Sequence, residues 1–182
     1  MFDSAMIDLE TGGLDPARSP ILSISGVKFN LKERSVCPDF FHATLLPSPN
    51  RYWDEGTREW WMKKKDVLIE MMRDMEDPKK VLLDLSEWGR GVKHMWAKPT
   101  HFDHSFLQRF YHDHGMQIPF HYREARDLNT FIGGLFFPNE VPDLEGMMPI
   151  GDGAHNSLVD SLHQLQHLFL ACDLKNEHIT GL

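Results

Sequence analysis

Residues 6–15 read MIDLETGGLD, placing two carboxylates two positions apart at the end of an apolar stretch and just before a glycine pair. On a strand, alternate side chains share a face, so Asp8 and Glu10 point one way while Ile7 and Leu9 point the other. A rise of roughly 3.3 Å per residue starts the two acids about 6.6 Å apart. With an effective dielectric of about 20, like charges at that distance repel by about 2–3 kcal/mol. Two outcomes relieve that repulsion: Glu10 begins a solvated turn with Asp8 hydrogen-bonded to it, or cations sit between the acids.

Three further residues have types that suit cation or proton chemistry. Asp103 lies in THFDHSFL, and Asp160 lies in AHNSLVDSL, five residues after His155. Each has an ordinary alternative when taken alone. Asp103 reads as a helix-start acid favoured by the macrodipole. Asp160 falls roughly opposite the apolar stripe of its helix at about 100° per residue, which reads as a solvated surface acid. His155, just before that helix, reads as a loop histidine.

The elements that must position these groups follow from the periodicity. AMIDLE predicts a first strand, broken by a turn at Gly12-Gly13 and Asp15-Pro16. PILSISGVKFN alternates Leu22 and Ile24, then Val27 and Phe29, which predicts a second strand with a bulge at Gly26. FFHATLLP is a third strand, and turn-rich gaps of roughly ten residues make the three a meander. From Thr57 the period becomes helical through Trp61, Leu68, Met72 and Met75. Asp77-Pro78 ends that helix and opens another, with Val81, Leu82, Leu85 and Trp88. VKHMWA predicts a fourth strand. FDHSFLQRFYHDHG predicts a helix with Phe102, Phe106 and Phe110 on one face and Gly115 as its stop. FHYREARD predicts a fifth strand, with Asp127 capping a short helix. Residues 137–154 hold three prolines and three glycines and read as loop. A last helix, from about Ser157 to Asp173, carries Leu158, Leu162, Leu165, Phe169 and Cys172 as its stripe. Strands first, then strands mixed with helices, predict an α/β domain with a mixed sheet.

Bulk properties bound the class. The 182 residues fit one domain with a sizeable core. Hydrophobic residues at 41% and charged residues at 25% are a globular composition, not a disordered one. Cys37 and Cys172 give no disulfide framework, and MFDSAMIDLE lacks the basic region and apolar core of a signal peptide. A reduced cytoplasmic protein is the expectation, with no membrane association, since no run approaches the roughly 18 apolar residues of a span. The net charge of −8 argues against loose binding to polyanions. Divalent cations held by the acids would cancel that charge locally. The eleven histidines raise a competing metal reading, an HD-type phosphohydrolase around YHDHG. That fold is all-helical and leaves the strand-borne Asp8/Glu10 pair unexplained. No Gly-rich phosphate loop, HExxH or Ser-His-Asp signature is present.

Taken together, DxE on the first strand, FDxxFL in mid-chain and HxxxxD near the C-terminal end resemble the three exonuclease motifs of the DEDDh (DnaQ-like) family. The likeness covers nearly the whole chain. WAKPTHFDHSFLQRFY followed by IPFHYREARDLNTFIGG looks most like the branch that holds phage exonuclease A and a mycobacterial exoribonuclease. The resemblance implies a ribonuclease H-like fold, a mixed five-stranded sheet flanked by helices in a single exonuclease domain over residues 1–182. It implies that Asp8, Glu10, Asp103 and Asp160 share one cleft and hold two divalent ions. Hard oxygen ligands suit Mg²⁺ or Mn²⁺ rather than zinc. Asp8 would bridge both ions, Glu10 and Asp160 would complete one site, and Asp103 would serve the other directly or through water. His155 would be the general base for a water that attacks the terminal phosphodiester, releasing nucleoside 5′-monophosphates from a 3′ end.

The same resemblance names substrate contacts. Thr11, Gly12 and Leu14 occupy the places where the family's main chain meets the terminal sugar and an apolar residue wedges beside the last base, with the extra Gly13 altering the register. Phe102 and His104 flank Asp103 within reach of a penultimate nucleotide, Phe102 having core packing as its alternative. Trp60 and Trp61 offer a stacking face or packing. Lys63 to Lys65 guide phosphates or form a solvated face, and Asp127 is expected as a cap or hydrogen-bond anchor. The expected partners are 3′ ends of single-stranded DNA or RNA, with a slight lean to DNA. The expected setting is the cytoplasm of a bacterium or a phage-infected host cell. A homodimer is possible, because relatives are often dimers. The alternatives are a 3′-5′ exoribonuclease of the same family and a catalytically silent nucleic-acid-binding adaptor, which should have lost at least one motif acid.

Overall fold

The computed structural model describes residues 1–151 and 155–180. Its centre is strand β1 (Ser4–Thr11), which pairs antiparallel with β2 (Ile21–Asn30) on one side and parallel with β6 (His94–Ala97) on the other. The sheet order is β5-β4-β2-β1-β6-β7, where β4 is Phe41–Leu45, β5 is Met75–Glu76 and β7 is Ala125–Asp127. A two-residue strand, β3 (Ser35–Val36), pairs with the far end of β2. The five expected strands are present as a mixed sheet, and the short β3 and β5 bring it to seven.

Both faces of β1 are covered, so its apolar residues divide between two cores. Ala5, Ile7 and Leu9 pack with Val81, Leu82 and Leu85 of α3 (Pro78–Trp88) and with Phe106, Leu107 and Phe110 of α4 (Thr100–Asp113). Met6 lies on the other face with Leu128 and Ile132 of α5 (Leu128–Phe136) and with Leu165, Leu168 and Ala171 of α7 (Ser157–Thr180). Asp8 and Glu10 share the parity of Met6 and therefore point toward α7.

Several expectations need correction. No bulge occurs at Gly26, which pairs in register with Ile7. The register shifts instead between Glu10 and Thr11. Ile24 and Val27 both being apolar reflects a strand buried on two faces, each packing into a different core. Gly26 is small because Trp88 lies over it: an added Cβ would stand 2.6 Å from that ring. The single helix from Thr57 to Met75 is two, α1 (Glu55–Met62) and α2 (Lys65–Met71), separated at Lys63-Lys64. Met75 is a strand residue paired with Thr44. Residues 137–154, read as loop, include helix α6 (Leu144–Met147), and residues 152–154 lie outside the described residues. The last helix extends to Thr180, and its buried side is rotated from the expected stripe, as described below.

Cys37 and Cys172 are both free. Among the described residues no helix is long and apolar enough to cross a membrane.

Candidate active site

The site forms where β1 ends. Asp8 and Glu10 reach it from β1, Asp103 from the first turn of α4 and Asp160 from the first turn of α7. Asp103 is only 3% exposed, and its carboxyl lies close enough to the Leu9 backbone of β1 for that backbone to oppose the rise that burial causes. β1 and β6 pair only as far as Met6 and Trp96, so Leu9 lies beyond their shared ladder. That contact ties the acid of α4 directly to the strand bearing the other two.

Helix starts fix both flanking acids. Asp127 caps α5 through Oδ1, which accepts from the Thr130 amide at 2.8 Å, while its Oδ2 accepts from the Thr100 amide of α4 at 3.0 Å. Pro99 precedes α4 without a side-chain cap, so Asp127 supplies one from the neighbouring strand. The expected anchor role of Asp127 is what the geometry shows. At α7, Asn156 Oδ1 accepts from the Leu158 and Val159 amides at 3.1 and 3.3 Å. One turn into the helix, Asp160 Oδ2 accepts from the His155 amide at 2.9 Å.

His155 sits in a left-handed backbone conformation, φ 68°, which a non-glycine residue adopts only when its surroundings enforce it. Its ring stands edge-on to that of Trp60, with centroids 4.7 Å apart. Glu10, His155 and Asp160 bring ligand atoms to within 4.8 Å of one another.

The charges of the four acids are mutually unfavourable. Burial and then Asp160 push Asp8 up to about 8, against the pull of a 2.7 Å hydrogen bond donated by Gln164 Nε2. Burial, with Asp8, Asp160 and Asp103, pushes Glu10 up to about 9. Burial and Asp8 hold Asp103 well above the ordinary carboxylate range. Burial also raises Asp160, opposed by the His155 amide and by the nearby His155, His163 and Lys64. Without a cation, this cleft is satisfied only by protons. An all-carboxylate oxygen set with unbalanced negative charge fits hard divalent cations, and on this ground the residues suit the ions expected of them.

The predicted substrate contacts divide. Thr11 ends β1, its hydroxyl donating to Gly13 O and its carbonyl accepting from Trp61 Nε1 at 3.0 Å. Gly12 donates to Pro20 O and accepts from the Asp54 amide, so its main chain is engaged inside the protein. Both glycines serve close approach: a Cβ on Gly12 would meet Pro20 at 2.7 Å and one on Gly13 would meet Ser19 at 2.3 Å. Leu14 is 76% exposed and lines a separate cleft with Tyr52 and Trp53. Phe102 packs against Phe106 at the edge of the core, and buried His104 faces the Phe120 carbonyl at 3.2 Å. Trp61 is core, whereas Trp60 borders the site.

Sequence reasoning did not single out Gln164, or Lys64 within its lysine run. Lys64 acts electrostatically on Glu10, His155 and Asp160, and its ammonium lies 5.0 Å from the Trp60 ring centroid. The signal for Lys64 was the run KKK, which helical periodicity alone reads as a solvated face. A cavity of about 620 Å³ opens beside His155, walled in part by Thr44, Asp66, Glu70 and Asn156. The histidines of YHDHG gather no ligand set among the described residues.

The family profile of the 3'-5' exoribonuclease Rv2179c-like domain matches residues 3–171. The chain belongs to that family. It thereby takes its place among the DnaQ-like 3′-5′ exonucleases of the ribonuclease H-like superfamily. Among curated protein sequences none matches. The fold is similar to a solved exonuclease I at 12% identity and TM-score 0.72, over 97% of this chain and 43% of that one. It is also similar to cell-death related nuclease 4 (CRN-4) at 15% identity and TM-score 0.70, over 95% of this chain and 64% of that one. A zinc-bound E. coli exonuclease I–single-stranded DNA complex shares the fold at 12% identity and TM-score 0.68, over 96% and 40%. The chain thus spans less than half of the exonuclease I chains that it resembles.

Proposed function

We propose that this domain hydrolyses single-stranded nucleic acid from its 3′ end, releasing nucleoside 5′-monophosphates. The observation that carries the reading is the convergence of Asp8, Glu10, Asp103 and Asp160, with His155 within 4.8 Å of Glu10 and Asp160. The four carboxylates would hold two Mg²⁺ or Mn²⁺ ions, which supply positive charge to the scissile phosphate and acidify the attacking water.

The chain's own groups do the rest. His155 accepts the water's proton on an imidazole nitrogen; burial and Lys64 hold its pKa below the ordinary value, so the ring is neutral and able to accept. Trp60 restricts that ring edge-on, and the His155 amide orients the Asp160 carboxylate. Gln164 fixes Asp8 in the same way. Lys64 offers the one cation seen by Glu10, His155 and Asp160 together among the described groups, and it draws the substrate phosphate toward the acids. The acidic wall of the neighbouring cavity, with Asp66 and Glu70, repels the phosphate chain and leaves that space to a nucleoside.

RNA is the substrate that the family description supports. DNA, toward which the sequence reading leans, is the second reading, and the single-stranded DNA complexes of fold relatives favour it. An adaptor without catalysis has no need to keep four mutually repelling acids in one cleft.

The test is a time course on 5′-labelled single-stranded DNA and RNA of one sequence, with Mg²⁺, with Mn²⁺ and with EDTA, beside Asp8→Ala. A metal-dependent ladder shortening from the 3′ end, absent from the variant, is expected, and the faster strand names the substrate. Cleavage that survives chelation would sink the metal mechanism.

A further inference from the structure

A second cluster of metal-ligating groups lies one to two turns along α7 from Asp160, on the same flank of the helix and near enough that His163 acts on that carboxyl. His163 and His167 are four residues apart on one face of the helix, with ring centroids 4.1 Å apart. Both Nε2 atoms point at the Met148 carbonyl, at 2.7 and 3.0 Å. Glu145 Oε2, from α6, stands 3.9 Å from each of the two Nε2 atoms.

We propose that Glu145, His163 and His167, with the Met148 carbonyl, form a binding site for Zn²⁺ or a similar borderline transition-metal ion, separate from the carboxylate cleft. Imidazole nitrogens beside one carboxylate select zinc-like ions over Mg²⁺. Ligand bonds of about 2.0–2.2 Å in a tetrahedron put the ligand atoms about 3.3–3.6 Å apart. The observed separations of 2.7–3.9 Å bracket that value, so small side-chain rotations suffice. The carboxylate ligand is already held from behind. Glu145 Oε1 accepts from the Ile150 amide at 3.3 Å, and Asp143 caps α6 through the Gly146 amide at 2.9 Å. His167 is buried, while a cleft of about 350 Å³ lined by Glu145, His167, Pro142 and Lys98 gives an ion a way in. Because a carbonyl only accepts, both imidazoles now carry their proton on Nε2. Binding shifts each proton to Nδ1 and frees Nε2 for the metal, with no net loss of protons. The bound ion would clamp α6 and Met148, the residue that follows it, onto the helix that carries Asp160. If the two histidines serve only to pin the Met148 carbonyl, the protein retains no zinc there.

The full chain, stripped with chelator, is given equimolar Zn²⁺ with excess Mg²⁺ and desalted, and its zinc content is measured. Retention of one zinc per chain by the wild type and by Asp8→Asn is expected. Glu145→Gln, at an exposed position, should weaken binding by at least the roughly 10–100-fold that loss of an outer-shell partner costs. The double change His163→Gln with His167→Gln should abolish it. Absence of zinc from the wild type, its loss in Asp8→Asn or its retention in the double histidine variant would overturn the proposal. Should the histidine variants fail to fold, long-range ¹H–¹⁵N spectra of the wild type decide. Zinc must shift both Nε2 resonances and move the ring protons to Nδ1; unchanged rings overturn the site.

Discussion

The hydroxyls of Ser25 on β2 and Ser161 on α7 meet at 2.8 Å, both fully buried. One turn earlier on the helix, Ser23 donates to Ser157 at 3.0 Å. Small side chains on both surfaces let α7 lie close on the sheet, and this approach brings Asp160 and Gln164 to Asp8. Ser161→Leu should overpack the contact, costing about 1–3 kcal/mol of stability. Turnover should fall as well, since a shift of about 1 Å at a reacting centre can cost about 100-fold. Ser161→Ala keeps the spacing and should keep most of the activity. Denaturant midpoints and nuclease rates on the two variants check this; a Leu variant as active as the Ala variant would refute the spacing argument.

The same serines explain why Asp160 misleads on a helical wheel. A wheel drawn through Leu158, Leu162 and Phe169 puts Asp160 on the water side. The helix buries Leu165 and Cys172 of that stripe, but its buried side turns to Leu168 and Ala171 and on to Ser157, Ser161 and Gln164, which hydrophobicity does not mark. Asp8 and Glu10 were legible because alternation in a strand fixes their shared face whatever the packing. Capping by Asp127 was legible because a cap is local, although its second bond to Thr100 depends on β6 and β7 lying side by side. The break at Lys63-Lys64 was not, because Trp61 and Leu68 keep helical spacing across it while the backbone at Lys64 leaves the helix, φ −122° and ψ 36°.

Asp127→Ala removes the acceptor shared by two helix starts, stranding the Thr100 and Thr130 amides. A single lost cap costs about 0.5–2 kcal/mol, so a loss toward or beyond the upper end is expected in urea unfolding. Asp127→Asn, which keeps one acceptor oxygen, should fall between the wild type and Ala. Because Asp103 lies in the first turn of α4, the Ala variant should also lose nuclease rate at a temperature where it remains folded. Full activity there would show that Asp103 needs no help from this cap.

Gln164 Nε2 donates to Asp8 Oδ1 at 2.7 Å, while its own buried Oε1 has no partner. Gln164→Met keeps the volume and removes the bond. It should leave the melting temperature near that of the wild type, because an unpaired buried oxygen goes with the donor. A positioning role predicts a rate loss of about 10–100-fold together with weaker Mg²⁺ dependence of folding stability. A role in packing alone predicts neither, and the two readouts separate the cases.

The metal-free protein should lose stability as pH rises. Burial and Asp160 hold Asp8 up to about 8, and burial with the neighbouring acids holds Glu10 up to about 9, whereas the ordinary values are 3.8 and 4.5. Between those limits the folded state keeps protons that the unfolded chain has released. Stability therefore falls with rising pH: the contribution is complete below about 4 and lost once pH passes about 9. Thermal midpoints in EDTA should decline across that window. Asp8→Asn, which cannot ionise, should flatten the decline. Saturating Mg²⁺ should remove most of it at the alkaline end, since a cation replaces the protons as the partner of the carboxylates. Asp113, an exposed residue whose carboxyl Arg51 and Arg109 hold below the ordinary range against partial desolvation, contributes the opposite slope only at lower pH. A midpoint in EDTA that stays level or climbs from about 5 to about 9 would mean that the acids do not share the crowded cleft described above.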